Sequence, residues 1–297
     1  MHPSFSFILR LALTSVIAAC ALFGTTTLHA DNEPTLTLSL PNQEQKLARS
    51  NLLRHTATHT ITVPDDPAYK RTMTYQAIPF AAIVRDMRHI DTLQFTSADG
   101  FVANIPGELF RSASEPWIAI EPAGRPWPAL SSDSLRSAGA FYLVWLTPEK
   151  SGVKAEQWPF QIISIRNVEA LTVRYPQLLP GTEGQDEDAQ AAVQRGMQQF
   201  VMQCASCHRL NGGGDADVGP DLNLPFSPTE YFQEAYLRKL IRHPAAVRNW
   251  PQARMPAFGE AVISDNELDD LLTYLQQMAR QRDRGRSTNR DATITQE

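Results

Sequence analysis

Residues 190–208 read QAAVQRGMQQFVMQCASCH, and the architecture of the C-terminal part of the chain follows from them. Gly196, Phe200, Cys204 and His208 recur at steps of four, so a helix over Gln190 to Gln203 sets them on one face as it runs into the motif. The stretch ends in Cys204-Ala205-Ser206-Cys207-His208. Two cysteines at this spacing can each bond one vinyl group of a porphyrin, and the histidine that follows can reach the iron from the same side.

Three other chemistries use a Cys-x-x-Cys pair. A dithiol redox motif needs a βαβ neighbourhood, which these residues lack. A zinc site needs two further ligands, yet the chain has three cysteines in all, the third being Cys20 near the N-terminus. A plain disulfide would close a very tight loop and leave His208 without a role. One covalent haem c, held by Cys204 and Cys207, is therefore expected, with His208 on its iron.

The flanking sequence agrees. Ser227-Pro228-Thr229-Glu230 supplies an N-cap, a proline at N1 and a glutamate at N3, and predicts a helix to about Arg242, ended by His243-Pro244. Ser264-Asp265-Asn266-Glu267 is a capping box that opens a helix through about Met278, striped by Leu268, Leu271, Leu272 and Leu275. With Met255-Pro256-Ala257-Phe258 between these helices, residues 189–282 resemble a class I, mitochondrial-type cytochrome c domain. The resemblance implies an all-α fold in which Gly196 lets the terminal helices cross and Tyr274 packs at the crossing. It also implies Met255 as the sixth iron ligand, a soft thioether that favours ferrous iron. His243 is the alternative ligand, and core filling is the alternative role for Met255. The Pro220 carbonyl would accept the His208 Nδ1–H bond, unless Gly219-Pro220 is an ordinary turn. Arg248, Trp250 and Arg254 would lie beside the haem propionates, unless they belong to a solvated loop. Gly212-Gly213-Gly214-Asp215 lengthens the loop after His208 and has no phosphate-loop context.

Residues 31–180 read as β-rich. Leu36–Leu40, Thr56–Val63, Leu93–Thr96, Phe101–Ile105, Trp117–Ile120, Ala140–Leu146 and Phe160–Val168 alternate or run apolar, with a hairpin signal at Ser97-Ala98-Asp99-Gly100. One helix is predicted from Pro79 to about Met87. Several pieces, among them Tyr75-Gln76-Ala77-Ile78-Pro79-Phe80, Trp117-Ile118-Ala119-Ile120-Glu121-Pro122 and Trp158-Pro159-Phe160-Gln161-Ile162, resemble the molybdopterin-binding domain of the sulfite oxidase family. That family ligates molybdenum through a cysteine, and residues 31–180 contain none, so no molybdenum cofactor is expected. The overall expectation is a multidomain chain: a β-rich (α+β) N-terminal domain of sulfite oxidase-like type plus an all-α cytochrome c domain. A linker at 181–188 joins them and a polar tail at 283–297 ends the chain. His55 and His59 stand four apart, in a Thr-rich setting that reads as strand and not as a helical metal pair. Trp117, Trp127, Trp145 and Trp158 read as core; lining a pocket or passing electrons is the alternative.

At the N-terminus, Met1–Arg10, an apolar run Leu11–Phe23 and a polar stretch to Ala30 have the layout of a secretory signal peptide over 1–30. Its apolar core is too short for a comfortable bilayer span. Ile17-Ala18-Ala19-Cys20 also resembles a lipobox, in which lipidated Cys20 would anchor the protein to a membrane. Both readings place the mature protein outside the cytoplasm, in the periplasm or as an envelope lipoprotein. The net charge is −5: 15 acids balance 15 bases through residue 180, and 17 acids face 12 bases beyond it. No basic face is present, which excludes nucleic acid as a partner.

The expected function is that of an exported monohaem cytochrome carrying single electrons, with its first domain docking on a redox protein such as a periplasmic dehydrogenase or oxidase. A filled iron coordination sphere points to a carrier more than to an enzyme. Two alternatives stay open. One is a haem-bearing subunit of a periplasmic oxidoreductase whose first domain binds a small molecule; the other is a haem-based sensor.

Overall fold

The computed structural model describes residues 33–130, 135–181, 184, 186–250 and 253–294, with side chains through 282. The export segment 1–30 with Cys20, and linker residues Thr182, Glu183 and Gln185, lie outside them.

The N-terminal region consists of two sheets. One has the order β2(Gln43–Ala48)-β1(Thr35–Leu40)-β9(Ile162–Val168)-β5(Thr92–Ser97)-β6(Val102–Pro106), with β1 parallel to β9 and the other pairs antiparallel. The second, fully antiparallel, has the order β3(His59–Asp66)-β4(Arg71–Pro79)-β7(Pro116–Ile120)-β8(Phe141–Trp145). Alternation in β3 sends Ile61 and Val63 inward and leaves Thr60 and Thr62 exposed, so only one face of that edge strand is covered. All five residues of β8, Phe-Tyr-Leu-Val-Trp, are buried, and their continuous apolar run matches a strand covered on both faces. Leu36, Leu38, Leu93, Phe95, Ile118, Ile120 and Leu143 form the core of this region. Each such side chain taken out of water contributes roughly 1.5–3 kcal/mol before the entropy of ordering is subtracted.

Short helices punctuate the sheets: α1(Arg49–Leu53) after β2 and α2(Phe80–Ile83) after β4. The helix predicted from Pro79 to Met87 is therefore only one turn long. Val84 is already extended, and Gln43 Nε2 donates to the Ile83 carbonyl at 2.7 Å, satisfying an acceptor that further helix would have used. The histidine pair forms no helical face: His59 opens β3, while His55 Nδ1 accepts the Ala57 N–H at 3.1 Å in the preceding turn.

The C-terminal region is helical. After α3(Leu171–Arg174), α4(Glu187–Gln199) is capped by Asp186, whose carboxylate accepts the Ala189 N–H at 2.8 Å. It passes into a π-turn at Phe200–Cys204. The wider turn keeps Cys204 packed against the core that holds Phe200 and Tyr274. The helix predicted over 228–242 is two pieces, α5(Pro228–Tyr231) and α6(Glu234–Arg242), divided where Phe232 turns extended. The Phe232 ring lies 4.9 Å from that of Tyr231 and 5.0 Å from the Arg248 guanidinium, contacts that hold it off the helix. The last helix, α7(Asp265–Ile294), opens on the expected Ser264/Glu267 capping box and runs beyond Met278 through the stretch read as polar tail.

A second core joins α4, α6 and α7 around Phe200, Leu237, Leu268, Leu271, Tyr274 and Met278. Leu171 and Leu178 belong to this core, so it begins upstream of the stretch read as linker. Tyr274 Oη donates to the Leu178 carbonyl at 2.7 Å, and Gly181 N–H to Gln281 Oε1 at 2.8 Å, tying that segment along α7. No described helix is long and apolar enough to cross a membrane.

Candidate functional site

Helix α4 crosses α7 at Gly196. A Cβ there would stand 2.0 Å from the Asp270 carbonyl oxygen and 2.7 Å from Tyr274 Cβ, so only glycine lets the two backbones approach this closely. Next to the crossing, the Phe200 and Tyr274 rings pack at 5.8 Å. The crossing fixes the direction in which the chain leaves α4 and hence where the two cysteines fall.

Those cysteines sit in a tight turn. The Cys204 carbonyl accepts the N–H groups of both Cys207 (3.0 Å) and His208 (2.8 Å), which gathers the two sulfurs and the imidazole on one short loop. Burial, assisted by the nearby Glu156 charge, pushes the Cys204 thiol up to about 12. Burial likewise raises the Cys207 thiol to about 11. Both are thiols at neutral pH, the opposite of the depressed values that redox-active Cys-x-x-Cys pairs need. They lie in a setting suited to addition across an apolar ring edge.

His208 is oriented from the next loop. Its Nδ1 lies 2.7 Å from the Pro220 carbonyl oxygen, and because a carbonyl only accepts, Nδ1 carries the proton and the Nε2 lone pair is free. Burial holds the imidazole below its ordinary value, against the opposing pull of that carbonyl and of Asp221. Gly219 makes the approach possible: a Cβ there would stand 2.4 Å from His208 Cε1. Asp221, which the sequence reading passed over, fixes the loop. Its carboxylate accepts the N–H groups of Asn211 (3.2 Å), Gly212 (2.7 Å), Asn223 (2.7 Å) and Leu224 (2.8 Å). The only earlier signal was its place directly after Gly219-Pro220.

The segment between this loop and α7 is built differently. Met255 is exposed in a stretch without regular secondary structure, and Arg248, Trp250 and Arg254 are exposed as well. Arg248 lies over Phe232. His243, the alternative ligand, is also exposed, at the C-terminus of α6. Leu224, Phe226, Tyr231 and Tyr236 stand exposed in the same segment, which gives Leu237, Ile241, Phe258 and Ile263 to the buried core. A porphyrin bonded to Cys204 and Cys207 would supply apolar surface for such side chains. The free Nε2 of His208, the neutral thiols and the cradle at Gly219 all fit that group. When bound, haem supplies a one-electron Fe(III)/Fe(II) couple.

The β-rich region reaches the Cys204–His208 turn directly. β6 is an edge strand, and its Val102 N–H donates to the Ser206 carbonyl, between the two cysteines, at 3.0 Å. The hairpin tip at Gly100, in the left-handed region (φ +92°), stands against Val218. Arg174 donates to both oxygens of Asp215 at 2.6 and 2.8 Å and to Asn104 Oδ1 at 3.0 Å, while Tyr175 Oη donates to Asp215 at 2.9 Å. Burial alone would raise the Asp215 carboxyl; Arg174, Tyr175 and Asn104 outweigh it and hold it low. None of these residues carried a sequence motif. A cavity of about 280 Å³ lies at this junction, lined by Asn104, Glu156, Gln157, Met202 and Ser206 among others.

Among curated proteins, none matches the chain. Residues 193–279 match the family model described as Cytochrome c, and the chain therefore bears a c-type cytochrome domain at its C-terminal end.

Proposed function

We propose that this protein is an exported electron carrier with a single haem c. In this reading Cys204 and Cys207 form the thioether links, His208 Nε2 is one axial ligand and Met255 the other. The observation that carries it is the His208–Pro220 contact at 2.7 Å, which puts the proton on Nδ1 and leaves the Nε2 lone pair available beside two neutral thiols. With both axial positions filled, no site on the iron is left for substrate, so the protein carries electrons without transforming a substrate. Arg248, Trp250 and Arg254 precede Met255 on the same segment and are the candidates to hold the haem propionates. Residues 1–30 support export to the periplasm, by signal cleavage or by lipidation of Cys20.

The β-rich region is proposed as a docking module for a redox partner, a dehydrogenase or an oxidase. Its two sheets, with no cysteine among residues 31–180 to ligate a metal, suit that role if the sequence resemblance to the sulfite oxidase type holds. Expression with a haem-ligation system tests the first part: the pigment should survive acidified organic solvent. Met255→Ala should lower the haem potential by on the order of 0.1 V or more, given that axial ligands span roughly 0.8 V. An unchanged potential sinks Met255 as a ligand. Affinity capture from the envelope should then return a protein that reduces or oxidises this haem. A second reading, an oxidoreductase subunit that binds a small molecule, draws on the 280 Å³ junction cavity.

A further inference from the structure

Trp127, Tyr75, Tyr142 and Trp158 come from four separate segments, yet their rings form one file. Centroids lie 4.7 Å apart for Trp127 and Tyr75, 5.9 Å for Tyr75 and Tyr142, and 6.2 Å for Tyr142 and Trp158. A second aromatic cluster, Phe80, Phe95 and Phe110 against Trp145, is mostly phenylalanine, which resists one-electron oxidation. Indole and phenol do not, and the file consists of them alone. Its outer end, Trp127, is half-buried in a loop where Arg125 and Pro126 are exposed. Its inner end, Trp158, is buried and directly follows Glu156 and Gln157, which line the junction cavity together with Ser206 of the attachment turn.

The two tyrosines share one carboxylate. Tyr75 Oη donates to Asp66 Oδ2 at 2.8 Å and Tyr142 Oη to Oδ1 at 3.3 Å, while the N–H groups of Ala68 and Tyr69 fix Oδ1 at 2.9 Å each. Asp66 is 1% exposed. A phenol that loses an electron becomes a strong acid, and in a buried site it needs a base already in place. Asp66 is that base. Packing alone asks for aromatic bulk at these positions; it does not ask for four oxidisable rings in sequence with a common proton acceptor.

We propose that this file is a charge relay between the haem-attachment turn and the surface at Trp127, serving a one-electron oxidant strong enough to oxidise indole. The oxidant takes one electron from Trp127. Tyr75, Tyr142 and Trp158 refill the hole in turn, and a haem held by Cys204, Cys207 and His208 would supply the last electron from its ferrous state, leaving one reduced oxidant and one ferric iron. Each phenolic proton moves to Asp66 as its electron leaves and returns when the ring is re-reduced, so no proton is gained or lost. The relay rests on the haem reading above.

The test uses full-length ferrous holoprotein carrying a ruthenium polypyridyl label at Arg125→Cys. A flash with an external quencher makes Ru(III), and transient absorption follows haem oxidation and tryptophan radical. Tyr142→Phe and Trp158→Phe should each slow haem oxidation at least tenfold. Trp117→Phe, off the file, should leave the rate unchanged, as should Tyr142→Phe when the label sits at Lys46→Cys on β2. Soret spectra and melting curves establish that each variant is folded. A second measurement needs no substitution in the file: the labelled parent should show a tryptophan radical that decays as the haem oxidises. Equal rates in parent, Tyr142→Phe and Trp158→Phe, or no radical in the parent, overturn the relay while the haem reading stands. A colourless protein overturns both.

Discussion

In the β-rich region Phe80, Phe95, Tyr142 and Trp145 are each no more than 1% exposed; between Leu224 and Met255, Phe226, Tyr231 and Tyr236 are each more than half exposed. Both stretches are comparably apolar, and the difference lies in what covers them. Two sheets cover each other, so the first region closes its core with its own residues. The second has a helix crossing at Gly196 and loops hung from Asp221, with apolar side chains that its own elements leave uncovered. One region is complete as a polypeptide; the other is arranged around a group that the polypeptide does not contain.

The largest expected effect separates the two regions outright. Cys204→Ser/Cys207→Ser should lose the covalent pigment entirely, and residues 224–260 should become sensitive to protease while the sheets stay protected. Limited proteolysis with mass spectrometry reads this, and equal protection of both regions in the colourless variant breaks the contrast. Next comes Gly196→Ala, which drives a methyl into the Asp270 carbonyl. It should cost about 3 kcal/mol, the upper end for overpacking, and should lower only the transition that reports on the haem.

The junction sharpens the comparison, because Asp215 couples the regions. Its folded-state value is depressed, so the stability it lends is present above the unfolded value of about 4 and is lost as pH falls below it. Melting followed from pH 6 to pH 3 should show a loss of stability in the parent that is smaller in Asp215→Asn. At neutral pH that variant should be weaker by about 2 kcal/mol, since Arg174 keeps its charge without its partner. The same pH profile in both proteins would show that Asp215 does not bind the regions together. Smallest is Tyr274→Phe, which removes the hydrogen bond to Leu178 and should cost about 1 kcal/mol in thermal or denaturant unfolding.

Much of the candidate site is legible in the chain because its residues are local. Cys204, Cys207 and His208 lie within five consecutive residues, and Gly219-Pro220 follows closely enough for one loop to bring its carbonyl to the imidazole. Strand positions in 31–180 were readable from alternation, as with Ile61 and Val63 of β3. The break at Phe232 was not, because a good capping box and helical spacing say nothing about a ring that tertiary contacts pull out of register. Nor was the continuation of α7 past Met278, where the apolar stripe that marks a packed helix ends.

The sequence by itself determined the candidate attachment motif, Cys204, Cys207 and His208, and the helices that deliver it, all set by residues within a turn or two of one another. Only the tertiary structure decided that β6 meets Ser206, that Asn104, Arg174 and Asp215 form one network, and that four aromatic rings share a file with Asp66 beside it. Those arrangements join residues far apart in the chain. Periodicity and motif spacing carry only short-range information, so such pairings exist only once the sheets and helices have packed.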